Sequence, residues 1–387
     1  MIFKYLNGNQ RNFENRLRLI LRSRKFIQKD VSKSVKNIIN SVKKKGDKSL
    51  IKFEKKFSNV KIKNNRLKFT NKEIGLISKK IDQRLKKSID IAYSRIKRFH
   101  LKQKPNPYML KDRYKNELIY KYSPITSVGV YVPGGIASYP STVLMNCIPA
   151  IVAGVRNIFL TTPALGKNVN PAIIYAAKKC GVKQIYKVGG AHSIAALAYG
   201  TKSFAKVDKI VGPGNAYVAA AKKEVFGEVG IDMIAGPSEV SIVADKNANP
   251  RWIASDMIAQ AEHDIFAQSI LISNNLNLIK KVNISIVKQL KEISKFKIAA
   301  KSLKNFGLAI YAKKIKTILK IVNEIAPEHL EIDFKNYKSI LKGVKNAGSI
   351  FLGKYSPEAI GDYLAGPNHV LPTSGTAKFS SGLSVND

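Results

Sequence analysis

From about residue 125 onward, short apolar runs alternate with segments of helical periodicity, and this alternation constrains the fold more than any other feature. The apolar runs lie at 128–132, 158–162, 185–188 and 209–211, with helical segments near 141–153, 171–180 and 192–199. Strand and helix in this order are typical of a parallel sheet covered by helices. The pattern resumes with strands near 240–244 and 269–273 and helices near 250–262 and 276–294. We therefore predict an α/β protein with two consecutive units, which a diverged duplication would explain.

The first 105 residues are basic and are expected to be helical. Thr70 and Glu73 have the spacing of a capping box, in which the two side chains satisfy backbone groups at a helix start. Apolar residues then recur at three- and four-residue steps from Ile74 to Phe99, which predicts one long amphipathic helix. The Pro-Asn-Pro sequence at 105–107 ends this pattern.

Composition narrows the class of protein. The chain has 387 residues, 45% of them hydrophobic, which is enough for two or more globular domains. The N-terminus lacks the apolar stretch of a secretory signal, and no apolar run approaches the roughly 18 residues of a membrane span. Cys147 and Cys180 are the two cysteines and form no C-x-x-C pair, so neither a disulfide framework nor a thiolate zinc site is predicted. We expect a cytoplasmic protein with no membrane partner.

The formal net charge of +41 raises the question of nucleic-acid binding. About 12 of the 67 basic residues are arginine, the residue that forms paired contacts with guanine and phosphate. The lysines are spread along the chain, with short clusters such as 43–45 and 79–80. We favour a lysine-rich solvated surface and predict no specific nucleic acid, with nonspecific attraction to polyanions as the alternative.

Glycine and proline are concentrated in four short blocks that we expect to follow strands. These are 131–135 (YVPGG), 189–192 (GGAH), 212–215 (GPGN) and 235–239 (AGPSE). Ligands of open α/β sheets bind beyond the carboxyl ends of the strands, where glycine lets backbone N–H groups approach a phosphate. Four such blocks on one side of one sheet would favour a nucleotide-sized ligand over ordinary tight turns, although no G-x-G-x-x-G fingerprint is present.

Three polar blocks further along the chain contain three of the five histidines. They are the segments around Gln260 and His263, around Glu328 and His329, and from 361 to 369. Histidine titrates near neutral pH and can transfer protons or ligate zinc, and an adjacent Glu-His pair suits two distinct proton transfers. On residue type alone, a catalytic or metal site and a set of structural polar residues are about equally supported.

Six ordered blocks together resemble the histidinol dehydrogenase family, from about residue 30 to the end of the chain. They read SVGVYVPGG, DKIVGPGN, AGPSEV, AQAEHD, APEHL and GDYLAGPNHVLPT. The resemblance implies a zinc enzyme that oxidises L-histidinol to L-histidinal and then to L-histidine with two molecules of NAD. The alternative is a catalytically weak or inactive family member that retains nucleotide or polyanion binding.

The resemblance also implies roles for individual residues. Zinc ligands correspond to Gln260, His263 and Asp362, and these residues also touch the substrate together with Ser238 and His329. The catalytic pair corresponds to Glu328 and His329. Positions that contact NAD correspond to Tyr131, His192 and Asn215. The family has a glutamine where this chain has His192, and we expect the histidine to be tolerated there.

The implied architecture is a homodimer of subunits with two related, incomplete Rossmann-like domains and sites at the subunit interface. We predict a helical segment at 1–26, a first α/β domain from 27–130 with 239–387, and a second, NAD-contacting domain at 131–238. The family continues into a helical tail that supplies a substrate-binding glutamate and one more zinc ligand, a histidine. The sequence ends at Asp387 before this tail, so an incomplete sequence, a decaying gene and a shortened enzyme all remain open, and His369 is a conceivable substitute ligand.

Overall fold

The computed structural model describes residues 1–26, 31–60, 62, 66–134, 139–164, 169–182 and 184–387. The chain forms two compact units. The first comprises Met1–Lys29, Ala235–Asp362 and Leu371–Gly382, and the second comprises Asp30–Ile234, Tyr363–Val370 and Leu383–Asp387. Among the described residues, no helix is long and apolar enough to cross a membrane.

The described elements follow one another along the chain in a mostly alternating order. The strands are β1 (Lys4–Asn7), β2 (Tyr108–Lys111), β3 (Glu117–Tyr120), β4 (Ser127–Tyr131), β5 (Asn157–Thr161), β6 (Gln184–Tyr186), β7 (Lys209–Val211), β8 (Gly230–Ile231), β9 (Glu239–Ala244), β10 (Gln268–Ser273), β11 (Leu308–Tyr311), β12 (His329–Asp333) and β13 (Ser349–Leu352). The helices are α1 (Phe13–Phe26), α2 (Ser32–Lys45), α3 (Asp47–Phe53), α4 (Asn71–Ser78), α5 (Gln83–Leu101), α6 (Pro140–Ala153), α7 (Pro171–Lys179), α8 (Gly190–Tyr199), α9 (Ala216–Val225), α10 (Pro250–Ala261), α11 (Leu276–Gln289), α12 (Phe296–Phe306), α13 (Ile315–Ile325), α14 (Tyr337–Leu341) and α15 (Glu358–Tyr363). A π-helical turn at Glu54–Ser58 and 3-10 turns at Leu290–Glu292 and Thr376–Lys378 complete the set.

The first unit is built on a six-stranded, wholly parallel sheet in the order β1-β11-β10-β9-β12-β13. All residues of β9 and β10 are buried, as expected for central strands covered on both faces. Alternate residues point to opposite faces: Val240 and Ile242 pack with α10, α11 and α12, whereas Val243 and Ile270 pack with α1 and α13.

The second unit is built on a five-stranded parallel sheet in the order β6-β5-β4-β7-β8. On one face Val128 and Val130 pack with α5, α6 and α7, and on the other Tyr131 packs with α2, α8 and α9. The strands β2 and β3 form a separate antiparallel hairpin, all eight residues of which are exposed.

The two sheets share one topology. Five strands of the first unit, β11-β10-β9-β12-β13, have the same chain order as β6-β5-β4-β7-β8, with β1 added at the edge of the first sheet. This order, 3-2-1-4-5, is that of a Rossmann-type sheet without its sixth strand. The α/β class with two related, incomplete Rossmann-like units is therefore confirmed.

The helix predicted from 74 to 99 is two helices, so that prediction is wrong. The capping box of Thr70 and Glu73 is present at the start of α4. Asp82 then caps a second helix, α5, by accepting hydrogen bonds from the amides of Arg84 and Leu85. The apolar periodicity remains in phase across the turn, which is why it did not reveal the break.

The observed units also differ from the predicted domain boundaries. Residues 30–130 cluster with the second unit, because α2 packs on α8 and α9 and α5 packs on α6. Residues 1–29 cluster with the first unit, where β1 pairs with β11. The helical N-terminal segment therefore includes a strand that the sequence did not reveal.

Candidate active site

The catalytic pair predicted from the sequence lies at the amino end of β12 in the first unit. Helix α13 ends at Ala326, which adopts a left-handed backbone with φ of 47°, and Pro327 follows. The strand then begins at His329, beside Val240 of β9. Gly348 lies close to this turn. A Cβ at residue 348 would be 2.6 Å from the carbonyl oxygen of Glu328, which is too close for a side chain.

The backbone of Glu239 holds both members of the pair. The Glu239 amide donates to Glu328 Oε2 at 2.8 Å, and the Glu239 carbonyl lies 3.1 Å from His329 Nδ1. A carbonyl only accepts, so Nδ1 carries a proton and the basic lone pair of the neutral ring is at Nε2. Glu328 Oε2 is 3.8 Å from Nδ1. Both side chains are almost fully buried, which strengthens their mutual electrostatic influence.

Two further carboxyl groups face the imidazole. Asp362 Oδ1 lies 3.9 Å from His329 Nε2, and Glu358 Oε1 lies 3.9 Å from Nδ1. One ligand atom from each of His329, Glu358 and Asp362 lies within 4.8 Å of the others, a spacing that could hold a metal ion. Glu358 was not predicted from the sequence, although its place four residues before Asp362 puts both on one face of α15.

Burial changes the acidity of these carboxyl groups. Desolvation raises the pKa of Asp362 to about 6. Desolvation, followed by the negative charges of Asp362 and Glu331, raises the pKa of Glu358 well above its ordinary value. A cation placed among these groups would favour their ionised forms and reverse the shifts.

The remaining residues predicted for the site belong to the same unit. Gln260, near the end of α10, is fully buried, and neither Oε1 nor Nε2 of its amide has a hydrogen-bond partner within the described part of the chain. His263 lies just beyond α10, is exposed, and is not part of the His329–Glu358–Asp362 group. Ser238 precedes β9, and its carbonyl accepts from the amide of Gln268 at 3.0 Å.

Three of the glycine blocks lie at the carboxyl edge of the second unit's sheet. They follow β4, β6 and β7, and the switch in strand order between β4 and β7 is where ligands of such sheets bind. The fourth block, 235–239, follows β8 along the chain as predicted, but it belongs to the first unit and leads into β9 at the amino edge of that sheet, so the four blocks do not lie on one sheet. Gly135 lies outside the described residues.

The three positions predicted to contact NAD lie at this carboxyl edge. Tyr131 ends β4, and its hydroxyl accepts from the amide of Gly190 at 3.2 Å. Burial, with a contribution from the nearby Glu54 charge, raises the pKa of Tyr131 to about 12. Asn215 is exposed and caps α9 by accepting from the amides of Tyr217 and Val218.

A buried ion pair holds the loop between β7 and α9. Lys222 and Asp232 have side chains only 3% and 1% exposed. Lys222 Nζ donates to the carbonyl of Gly212 at 3.0 Å, and the amide of Gly212 donates to Asp232 at 2.8 Å. Gly212 has a φ of +113°, and a Cβ there would lie 2.1 Å from the carbonyl oxygen of Tyr131, so only glycine fits.

The third position, His192, faces a buried carboxylate. His192 Nε2 lies 2.9 Å from Glu54 Oε1, and the same oxygen accepts from the amide of Gly189 at 2.8 Å. Glu54, which lies 138 residues before His192, was not predicted from the sequence. Hydrogen bonds from His192 and Gly189 keep the pKa of Glu54 below its ordinary value although burial opposes this.

The fold consists of two α/β units, one with a buried histidine among carboxyl groups and one with a glycine-lined sheet edge. Together these features indicate an enzyme that combines acid-base chemistry with the binding of a nucleotide-type ligand. Comparison with known proteins identifies the family. A family model described as histidinol dehydrogenase matches residues 21–387. The chain therefore belongs to the histidinol dehydrogenase family.

Individual relatives agree with this assignment. Histidinol dehydrogenase of Pelagibacter ubique is 54% identical over 387 residues, covering 100% of this chain and 90% of the relative. That of Agrobacterium fabrum is 46% identical, covering 99% and 89%. The crystal structure of histidinol dehydrogenase from Elizabethkingia anophelis superposes with a TM-score of 0.93 at 36% identity, covering 99% of this chain and 88% of that chain. The chain is thus an oxidoreductase of histidine biosynthesis that acts on histidinol, and an active dehydrogenase is favoured over an inactive relative.

Proposed function

We propose that the chain oxidises L-histidinol to L-histidinal and then to L-histidine, using NAD as hydride acceptor and zinc to hold the substrate. The observation that carries the proposal is the arrangement at the amino end of β12. Glu328 and His329 share the backbone of Glu239, and the basic Nε2 of His329 faces Asp362. One carboxylate and one imidazole at fixed positions can act as two separate bases in one buried site.

Zinc fits the donor groups of the first unit. The buried Gln260 amide lacks a partner among the described residues, which is costly unless a ligand occupies the site. Gln260, His263 and Asp362 would supply oxygen and nitrogen donors, which zinc accepts, with Glu358 near enough to influence the same ion. When bound, zinc supplies a positive charge that orients the imidazole and amino groups of histidinol.

NAD fits the carboxyl edge of the second unit. Tyr131 and Asn215 flank the switch in strand order between β4 and β7, and Asn215 caps α9, whose dipole favours an anionic group at this end. His192 lies in the first turn of α8, just after the neighbouring loop. When bound there, NAD accepts a hydride in each of the two oxidations.

The residues of the first unit then divide the proton transfers. His329 takes the hydroxyl proton of histidinol through Nε2. Glu328 activates a water molecule that attacks the aldehyde, and His329 helps to deprotonate the resulting hydrate. Because Glu328 and His329 are only 6% and 4% exposed, the reactive aldehyde is shielded from bulk solvent between the two steps.

Two broader expectations belong to the same proposal. We propose a homodimer in which each site is completed at the subunit interface, and a cytoplasmic location. Size-exclusion chromatography with light scattering measures the first directly: a mass near 86 kDa, about twice the 42.9 kDa of the chain, is expected, and a mass of one chain would contradict it.

The proposed roles make different predictions for two variants. Glu328→Gln should form histidinal but oxidise it slowly, so an aldehyde trap should capture the intermediate. His329→Ala should slow both oxidations, by about 10²-fold or more. Glu324→Gln is the control, since Glu324 pairs with Arg18 at the surface of the same unit. Wild-type rates in both site variants would exclude the proposed pair.

Metal content tests the ligand assignment without relying on activity. Gln260→Ala and Asp362→Asn should lose zinc during dialysis that leaves one zinc per wild-type subunit. Asp245→Asn is the control, because Asp245 is also buried in the first unit but is absent from the His329–Glu358–Asp362 group. Equal zinc retention in all four proteins would contradict the assignment.

A further inference from the structure

We infer that Glu54 is a positioning residue of the dinucleotide-binding edge, which fixes the ring of His192 and the Gly189–Gly190 turn against Tyr131. The inference rests on the proposed binding of NAD at this edge and adds a residue to it. Glu54 lies in the π-helical turn Glu54–Ser58, far from the glycine blocks in sequence. Single π-helical turns occur frequently at functional sites.

Glu54 contacts the turn after β6 and the first turn of α8, in addition to Ser58 of its own π-helical turn. Its side chain has no exposed surface, and its Oε1 atom receives two hydrogen bonds, from the Gly189 amide at 2.8 Å and from His192 Nε2 at 2.9 Å. A carboxylate with a lowered pKa only accepts, so His192 must carry a proton at Nε2. Glu54 therefore determines both the tautomer and the direction of the ring.

Aromatic packing closes the remaining space around the imidazole. The rings of Phe53 and Phe57 stack on each other with centroids 5.7 Å apart. Their centroids lie 5.6 Å and 6.2 Å from that of His192. Because His192 is only 2% exposed, rotation of its ring away from Glu54 would require these neighbours to move.

Glu54 is connected through this loop to a second cofactor position. Gly189 donates to Glu54, and the next amide, that of Gly190, donates to the hydroxyl of Tyr131. The turn is thus held between a carboxylate on one side and a phenol on the other. Two of the three positions proposed to contact NAD, Tyr131 and His192, depend on this one connection.

The pairing also explains how a buried histidine is accommodated at position 192, where the resemblance to the family implies a glutamine. A buried imidazole N–H without an acceptor carries the full desolvation penalty of an unpaired polar group. A nearby carboxylate removes that cost and forms a stronger, charge-assisted hydrogen bond. We expect residues 54 and 192 to act as a pair, so that changing Glu54 alone disturbs the edge more than changing both.

The test compares three variants with the wild type by calorimetric titration of NAD and, separately, of histidinol. Glu54→Gln should weaken NAD binding about tenfold, because its amide cannot fix the tautomer of His192, and should leave histidinol affinity unchanged. Glu54→Gln combined with His192→Gln should restore NAD affinity to within about threefold of wild type, since two amides can bond to each other. Glu73→Gln is the matched control: Glu73 binds Lys187, two residues before Gly189, and should show wild-type affinity.

Nitrogen-15 NMR of the histidine side chains gives a readout that a merely structural role would not change. The signal lost in His192→Gln should show a protonated Nε2 in the wild type and a different tautomer or exchange broadening in Glu54→Gln. The inference is overturned if Glu54→Gln binds NAD within twofold of wild type, or if it loses affinity for NAD and histidinol together with thermal stability. A wild-type protein that binds histidinol but not NAD would instead overturn the proposed function on which the inference rests.

Discussion

Replacing Lys222 with methionine tests whether the buried ion pair holds the loop between β7 and α9. The change removes the cation but keeps most of the volume of the side chain. The Asp232 side chain would then stay buried with the amides of Gly212 and Met233 as its remaining donors among the described residues, and the carbonyl of Gly212 would lose its Nζ partner.

The structure sets the size of the effect. Breaking one member of a buried pair costs about 3–5 kcal/mol, because the other charge stays buried without compensation. The two amides that still bond Asp232 place the cost near the lower limit, at about 3 kcal/mol. For a unit of this size that corresponds to a fall in melting temperature of about 6–12 °C.

The assay is thermal and urea unfolding followed by far-UV circular dichroism. Lys206→Met is the control, because Lys206 pairs with Glu228 at the surface, where both side chains are about half exposed, and it should cost less than about 1 kcal/mol. The double variant Lys222→Met/Asp232→Asn should recover part of the loss, since no buried charge remains. The reasoning is refuted if Lys222→Met is no more destabilising than Lys206→Met.

The remaining predictions concern backbone fit and acidity. Gly212→Ala should destabilise the protein by more than about 2 kcal/mol and weaken NAD binding, because the added Cβ would meet the Tyr131 carbonyl. Gly75→Ala lies within the helix α4, where an added Cβ would have nothing within 4 Å, and it should stabilise the protein by about 0.5–1 kcal/mol. Urea unfolding compares the two variants, and equal effects on the free energy of unfolding would contradict the prediction. Burial raises the pKa of Asp256 to about 6, so the folded state holds this proton more tightly than the unfolded state and loses stability as pH rises from about 4 to above 6. Asp256→Asn should therefore stabilise the protein by about 1–2 kcal/mol at pH 8 and hardly at pH 4, and a gain of the same size at both pH values would count against this explanation.

The sequence predicted the parallel α/β units because buried central strands appear as continuous apolar runs and their helices as three- and four-residue periodicities. It did not predict the break at Asp82, since the apolar positions of α4 and α5 remain in phase across the turn. The block at 235–239 does follow a strand, β8, but the sequence did not show that it leads into β9 of the other sheet. Strand direction and register, which determine the edge of a sheet, depend on contacts between distant segments.

In the site too, residues that are neighbours in the sequence could be predicted to lie together, whereas residues brought together only by folding could not. Glu328 and His329 are adjacent in the chain, so their joint placement followed from the sequence. Glu54 and Glu358 were missed for different reasons. Glu54 approaches Gly189 only through folding across 135 residues, whereas Glu358 was detectable from its four-residue spacing to Asp362 but lies in a segment without a histidine.

The central claim is that one buried site carries out two successive oxidations. The most direct measurement is the ratio of NADH formed to histidine formed when the zinc-loaded protein is incubated with limiting L-histidinol and excess NAD. Two NADH per histidine, with no free histidinal in solution, is the predicted result. One NADH per histidinol with release of the aldehyde, or no NADH from a protein that retains zinc and binds both ligands, would contradict the account.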